Sequence, residues 1–139
     1  MRVLVTGGAG FIGSHLCDFL FKKGLSLVVI DDLSSGDLGN LNLIIKAIDF
    51  YKAKLEEFDF TQIGRVDAVI HLAAQVSVPV SIESFRDSSS TNLLGAISVL
   101  DLCHKHDIPL VYASSSAIYG KSPYKSVLTH GFVIDENGK

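Results

Sequence analysis

The stretch MRVLVTGGAGFIG, residues 1–13, joins a short apolar run, Val3-Leu4-Val5, to the spacing Gly7-x-x-Gly10-x-x-Gly13. A buried strand that ends in such a turn brings backbone N–H groups close to an anion. Gly7 supplies the tight turn and Gly10 lets the main chain approach a pyrophosphate. Gly13 lets the next helix pack on the strand with its N-terminal dipole facing the phosphates. A glycine triplet alone is weak evidence, and here its context strengthens it. Leu27-Val28-Val29-Ile30 is a second apolar run, closed by Asp31, 18 positions after Gly13, about where an acid holds a ribose hydroxyl of a bound dinucleotide. An acid there repels the extra phosphate of NADP, so residues 1–31 predict a site that takes NAD.

Working outward, residues 14–23 carry Leu16, Phe19 and Leu20 at helical spacing, with Gly24 as a stop. The Ser-, Gly-, Asp- and Asn-rich residues 32–42 predict an irregular loop, residues 44–48 a third strand, and residues 52–58 a short helix. Residues 67–74 (DAVIHLAA) read as a continuous apolar strand and residues 92–106 as a helix. Residues 110–114, after Pro109, read as a fifth strand. Asp87 and Ser88 to Thr91 read as a helix start, because their oxygens can satisfy orphan N–H groups. Strands alternating with helices predict an α/β fold, a doubly wound parallel sheet of Rossmann type broken off after about five strands. Ligands gather at the carboxyl ends of such strands. The glycines, Asp31, Asp49, residues 71–75 and the serines at 114–116 are expected there. From Lys121 onward no complete element is legible. The organisation expected is a cofactor-binding domain over 1–120 and an irregular segment over 121–139.

Twelve basic residues against fifteen acidic ones give a formal charge of −3 with no long run of either sign, which excludes a nucleic-acid footprint. Cys17 and Cys103 lack metal-ligand spacing and fall in predicted helices, so each reads as a small buried thiol. His71 lies in an apolar strand without a second ligand nearby and reads as a core histidine rather than a metal ligand, and no metal site is expected. His104 and His106 close a helix and complement its C-terminal dipole. No apolar run reaches the roughly 18 residues that suggest a membrane span. The expectation is a soluble, cytoplasmic protein with no membrane partner.

Five segments, TGGAGFIG (6–13), DDLSSG (31–36), HLAAQVSVPVSIE (71–83), NLLGAISVLDLC (92–103) and YASSSAIYG (112–120), in this order and spacing, resemble the N-terminal part of the extended short-chain dehydrogenase/reductases, more narrowly the UDP-glucose 4-epimerase-like sugar-nucleotide epimerases. The resemblance covers residues 1 to about 120. It implies that Phe11 and Ile12 meet the pyrophosphate through their backbone and Asp31 the adenosine ribose. Asp32, Leu33, Ser34, Ser35 and Gly36 would wrap that end of NAD, with Asp49 and Phe50 beside the adenine. Leu72, Ala73, Ala74 and Val76 would line the groove after the fourth strand, and Asn92 would sit near the nicotinamide half. Ser115, four positions before Tyr119, matches the family's active-site Ser or Thr, which hydrogen-bonds a sugar hydroxyl or keto oxygen. Ser114 and Ser116 are its neighbours, and Ser116 is a second candidate for the sugar. Ser77 has two readings, a sugar contact or a turn cap.

The implied reaction is NAD-dependent inversion at C4 of a nucleotide sugar, a UDP-hexose, by hydride removal and return. Sugar-nucleotide dehydratases look like Thr-Asp-Glu where this chain has Ser115-Ser116-Ala117, so elimination of water is not implied. A nucleotide-sugar reductase or decarboxylase is the alternative among enzymes. The family's general base is the Tyr of Tyr-x-x-x-Lys, its phenol acidified by the ammonium. No tyrosine here has that partner: Tyr51, Tyr112, Tyr119 and Tyr124 are followed four positions on by Leu55, Ser116, Pro123 and Leu128. By resemblance the pair is expected beyond Lys139, together with the substrate domain, which these residues lack. The second reading is therefore a non-catalytic NAD-binding fragment or assembly module with an open sheet edge. A homodimer through the 92–106 helix is implied for the longer parent.

Overall fold

The computed structural model describes residues 1–115 and 118, together with the backbone of two short strands at 127–129 and 132–134. Five strands, β1 (Arg2–Thr6), β2 (Ser26–Asp31), β3 (Asp49–Lys52), β4 (Ala68–His71) and β5 (Leu110–Tyr112), form one sheet in the order β3-β2-β1-β4-β5. Every pairing in it is parallel. Two further strands, β6 (Val127–Thr129) and β7 (Phe132–Ile134), pair antiparallel inside the segment expected to be irregular.

The alternation of side chains along the strands builds two cores. Leu4, Val28, Ile30 and Val69 enter one, with Val99 and Cys103 from α4 (Gly95–His106). Val3, Val5, Leu27 and Val29 enter the other, with Cys17 from α1 (Phe11–Lys22). A sheet covered on both faces needs apolar residues at consecutive positions, which is why β1 and β2 are unbroken apolar runs. α1 begins three residues earlier than its apolar spacing suggests, directly at Phe11 after the Gly10 N-cap.

The third strand is corrected. Residues 44–48 carry a 3₁₀ turn at Ile45–Ala47, and β3 follows it at Asp49–Lys52. The apolar run there does not alternate between two faces. In β3, by contrast, Phe50 packs on one core and Tyr51 on the other, as a two-residue period requires. The helix expected at 52–58 is only a 3₁₀ turn at Leu55–Glu57, and the loop at 32–42 contains another at Leu38–Leu41. β4 and β5 are shorter than expected, ending at His71 and Tyr112.

The expected helix start at 87–91 is also corrected. α2 (Val78–Glu83) and α3 (Phe85–Ser89) precede it, and α3 runs through a π-helical turn, Ser90–Leu94, directly into α4. The backbone stays αR through Ser89, Ser90 and Leu94, so no cap interrupts it. Asp107, at φ 52°, closes α4 in the left-handed conformation.

Candidate functional site

The strand order places β2 and β4 on opposite sides of β1, so the connections leaving β1 and β4 diverge and open a crevice beyond the carboxyl ends. A cleft of about 840 Å³ lies there. Its walls include Gly7, Gly10, Phe11, Ile12 and Gly13 from the first turn, and Asp31, Asp32, Ser34 and Ser35 after β2. Leu72, Ala73, Ala74 and Val76 after β4, Asn92 in the π turn, and Ser115 after β5 are further expected residues on these walls.

Two glycines are required by geometry. Gly7 has φ +69°, and a Cβ on it would lie 2.7 Å from the Ala73 nitrogen. The first turn therefore presses against the backbone of the β4 turn with no room for a side chain. A Cβ at Gly13 would collide with the Gly7 carbonyl oxygen. α1 thus starts tight against the end of β1, and no side chain caps its N-terminus. The N–H groups of the first helical turn have no partner within the helix, and the residues that carry them line the cleft. With the helix dipole behind them, they form a cradle for a pyrophosphate.

Asp31 ties two loops together. One carboxylate oxygen accepts from the Ala9 N–H at 2.9 Å and the other from the Leu33 N–H at 2.9 Å. The second bond helps to hold Leu33 at φ 60°, a left-handed conformation rare for leucine. Each carboxylate oxygen carries a further lone pair, so the group retains acceptor capacity on the cleft wall. Its field reaches Cys17. Burial, with the Asp31 carboxylate adding to it, pushes that thiol up to about 12. Cys17 is a neutral packing group, and Cys103 is likewise buried and raised by burial.

Asn92 acts on the opposite wall. Its Oδ1 accepts from the Gln75 N–H at 2.7 Å and its Nδ2 donates to the Gln75 carbonyl at 3.0 Å. One side chain thereby fixes both backbone groups of the segment leaving β4. The π turn that carries it widens the helix locally, a feature that recurs at functional sites.

Several expected residues are not brought to the cleft wall. Asp49 sits at the amino end of β3, opposite Val28, and pairs with Arg2 at 2.5 Å. The five-residue shift of that strand moves it to the wrong end of the sheet, and Phe50 packs into the core beside it. Leu33 packs on the same core, and Gly36 lies against Ala9. Ser77 occupies the N-cap position of α2 without a capping hydrogen bond from its side chain. Ser116 lies outside the described residues.

The cleft also contains residues that the sequence does not single out: Ala53, Lys54, Leu55 and Glu56 after β3, Thr91, and Tyr112 and Ala113. The first four follow from the true position of β3, because its carboxyl end is Lys52. His71 is buried, its Nδ1 is 2.7 Å from the Thr6 hydroxyl, and its ring centroid is 5.0 Å from that of Tyr112. Burial lowers its pKa. Among the described residues no cluster of metal-ligating side chains occurs.

Residues 3–131 match the family described as NAD dependent epimerase/dehydratase. The chain belongs to this epimerase/dehydratase family. It is similar to a putative UDP-glucose 4-epimerase of Methanocaldococcus jannaschii, 38% identical over 130 residues, which span 90% of this chain and 42% of that protein. The UDP-glucose 4-epimerase of Bacillus subtilis is 35% identical over 144 residues, covering 96% of this chain and 42% of that protein. Among solved structures, a Thermus thermophilus UDP-glucose 4-epimerase in complex with NAD superimposes with a TM-score of 0.77 at 40% identity, covering 88% of this chain and 40% of that one. The chain thus spans about two fifths of the length of the epimerase/dehydratase relatives it matches. The chain is also similar to a dTDP-D-glucose 4,6-dehydratase of Dictyostelium discoideum, 33% identical, and to a UDP-N-acetyl-alpha-D-glucosaminuronate decarboxylase of Bacillus cytotoxicus, 34% identical. Family membership fits the cradle, the tethered acid and the crevice at the strand-order switch, which together suit NAD.

Proposed function

We propose that this chain is the NAD-binding portion of a nucleotide-sugar 4-epimerase acting on a UDP-hexose. The observation that carries the reading is the gathering of the glycine turn, Asp31, Asn92 and Ser115 on one cleft. The first-turn amides of α1 hold the pyrophosphate, and Asp31 holds the adenosine ribose while its charge disfavours a phosphate on that ribose. Ser34 and Ser35 flank the same end, while Leu72, Ala73, Ala74 and Val76 form the wall under the nicotinamide half. NAD, when bound, supplies a hydride acceptor. Ser115 orients the sugar by a hydrogen bond to its hydroxyl or keto oxygen. The 4-epimerase reading is favoured over dehydration because Ser115-Ser116-Ala117 offers no acid and no base to expel water.

The general base, the Tyr of a Tyr-x-x-x-Lys pair, does not occur in these 139 residues. For this stretch alone, NAD binding without turnover is therefore the second reading. In the longer protein a homodimer is proposed through α4, supported by its Ile97 and Leu100 and by Leu93 of the preceding π turn, each at least half exposed. No helix among the described residues is long and apolar enough to cross a membrane.

The test is conversion of UDP-galactose to UDP-glucose by the protein that contains these residues, with its intact mass measured on the same sample. Turnover lost in Ser115→Ala while NAD affinity is kept supports the epimerase assignment. Release of a decarboxylated or dehydrated sugar nucleotide overturns it. A mass of 15.0 kDa with NAD bound and no turnover supports the binding-module reading.

A further inference from the structure

We infer that Thr6 and His71 are a positioning pair that fixes the β4 turn against Gly7, and that the pair admits a single protonation state of the histidine, neutral with its proton on Nε2. The inference follows from counting donors. The Thr6 hydroxyl oxygen accepts from the Ala73 N–H at 3.3 Å and shares the Leu72 N–H, 3.2 Å away, with the Thr6 carbonyl oxygen, which lies 3.1 Å from the same nitrogen. Backbone N–H groups only donate, so neither of them can take the hydroxyl proton. What remains is its own O–H, and the atom it faces is His71 Nδ1 at 2.7 Å. Nδ1 must therefore accept, which leaves Nε2 as the protonated nitrogen of a neutral ring.

An imidazolium would set Nδ1–H against the hydroxyl proton, and turning the hydroxyl to accept from Nδ1 would leave that proton without an acceptor among these partners. Both Thr6 and His71 are buried, at 0% and 3% exposure, so no solvent is at hand to take over a lost bond. Tyr112, paired opposite His71 in β5, is the titratable side chain in ring contact with it. From β1 the ring meets the uncharged Thr6, and burial is the cause of its lowered pKa.

The consequence reaches the cleft through geometry already described. Ala73, whose N–H the hydroxyl holds, is the residue that a Cβ on Gly7 would strike. The hydroxyl thus sets the spacing between the glycine turn and the opposite wall. This consequence rests on the cleft being the cofactor site, whereas the protonation state does not.

Nitrogen NMR of the ¹⁵N-histidine-labelled protein at neutral pH, without cofactor, tests the protonation state directly. The expected spectrum shows His71 with a protonated Nε2 and an unprotonated Nδ1. A protonated Nδ1 or a cationic ring overturns the inference whatever the cleft binds. NAD titration of Thr6→Val and Thr6→Ser tests the positioning role. About tenfold weaker binding in Thr6→Val, with near-normal binding in Thr6→Ser, supports it, since serine keeps the hydroxyl and valine keeps the shape. Unchanged affinity in a folded Thr6→Val overturns it. If Thr6→Val does not fold, Thr6→Ser and the spectrum decide: a tenfold loss in the serine variant contradicts the role assigned to the hydroxyl.

Discussion

At the scale of single residues, the cleft depends on atoms that cannot be moved. Gly7 is held at positive φ and pressed on the Ala73 backbone, so Gly7→Ala meets both a conformational penalty and a contact with no flexible side chain to yield. A non-glycine residue in that region costs on the order of 1–3 kcal/mol before the contact is counted. Chemical denaturation should therefore show Gly7→Ala destabilised by at least about 2 kcal/mol, with NAD binding lost even where the variant is folded. His71 makes a prediction of the opposite kind, in pH. Burial holds its folded pKa below the ordinary 6.5, so the unfolded chain binds more protons in the window between the two values. Its contribution to stability is fully present above 6.5 and declines as pH falls from there toward the folded value. The thermal midpoint should drop on going from about pH 7.5 to about pH 5.5, and this slope should flatten in His71→Asn, whose amide oxygen can still accept from the Thr6 hydroxyl. Asp59 does not confound the comparison, because its lowered carboxylate pKa acts below 3.8.

At the scale of elements, Asn92 joins the π turn to the segment after β4 through two backbone hydrogen bonds. Asn92→Ala should raise amide hydrogen exchange around Gln75 and weaken NAD binding several-fold, with a loss of about 1–3 kcal/mol in global stability. Unchanged exchange at Gln75 would show that the clamp contributes nothing. Elements are also where sequence and structure part company in an informative way. β1, α1 and β2 are legible because each must satisfy strong local constraints: unbroken apolar runs for a sheet covered on both faces, and glycines for a tight turn. β3 is not, because Asp49-Phe50-Tyr51-Lys52 is short and flanked by polar residues, while the longer apolar run at 44–48 serves a 3₁₀ turn that fills the core with Ile44. That one misplacement carries the site error with it. Asp49 is at the wrong end of the sheet, and Lys54 to Glu56, which the strand delivers to the cleft, were unassigned. Asn92 lines the cleft, and its bonds to Gln75 depend on a π turn that helical periodicity cannot reveal.

At the scale of the molecule, the β5 edge of the sheet and one face of α4 expose apolar side chains among the described residues. β5 closes the sheet on one side with Val111 63% exposed, and α4 presents Ile97 and Leu100, each 50% exposed. Apolar rows of this kind favour self-association. Sedimentation should show concentration-dependent association that Ile97→Asp reduces without altering NAD affinity, since Ile97 is not among the residues that line the cleft. Association that persists unchanged would point to the β5 edge instead.

If the crevice between the glycine turn and the β4 turn holds NAD, calorimetric titration of the protein with NAD and then NADP will show it. Saturable NAD binding is predicted, with NADP weaker by about tenfold or more because a like charge meets Asp31. No saturable binding by a chain whose circular dichroism shows it folded, or equal affinity for the two nucleotides, would contradict it.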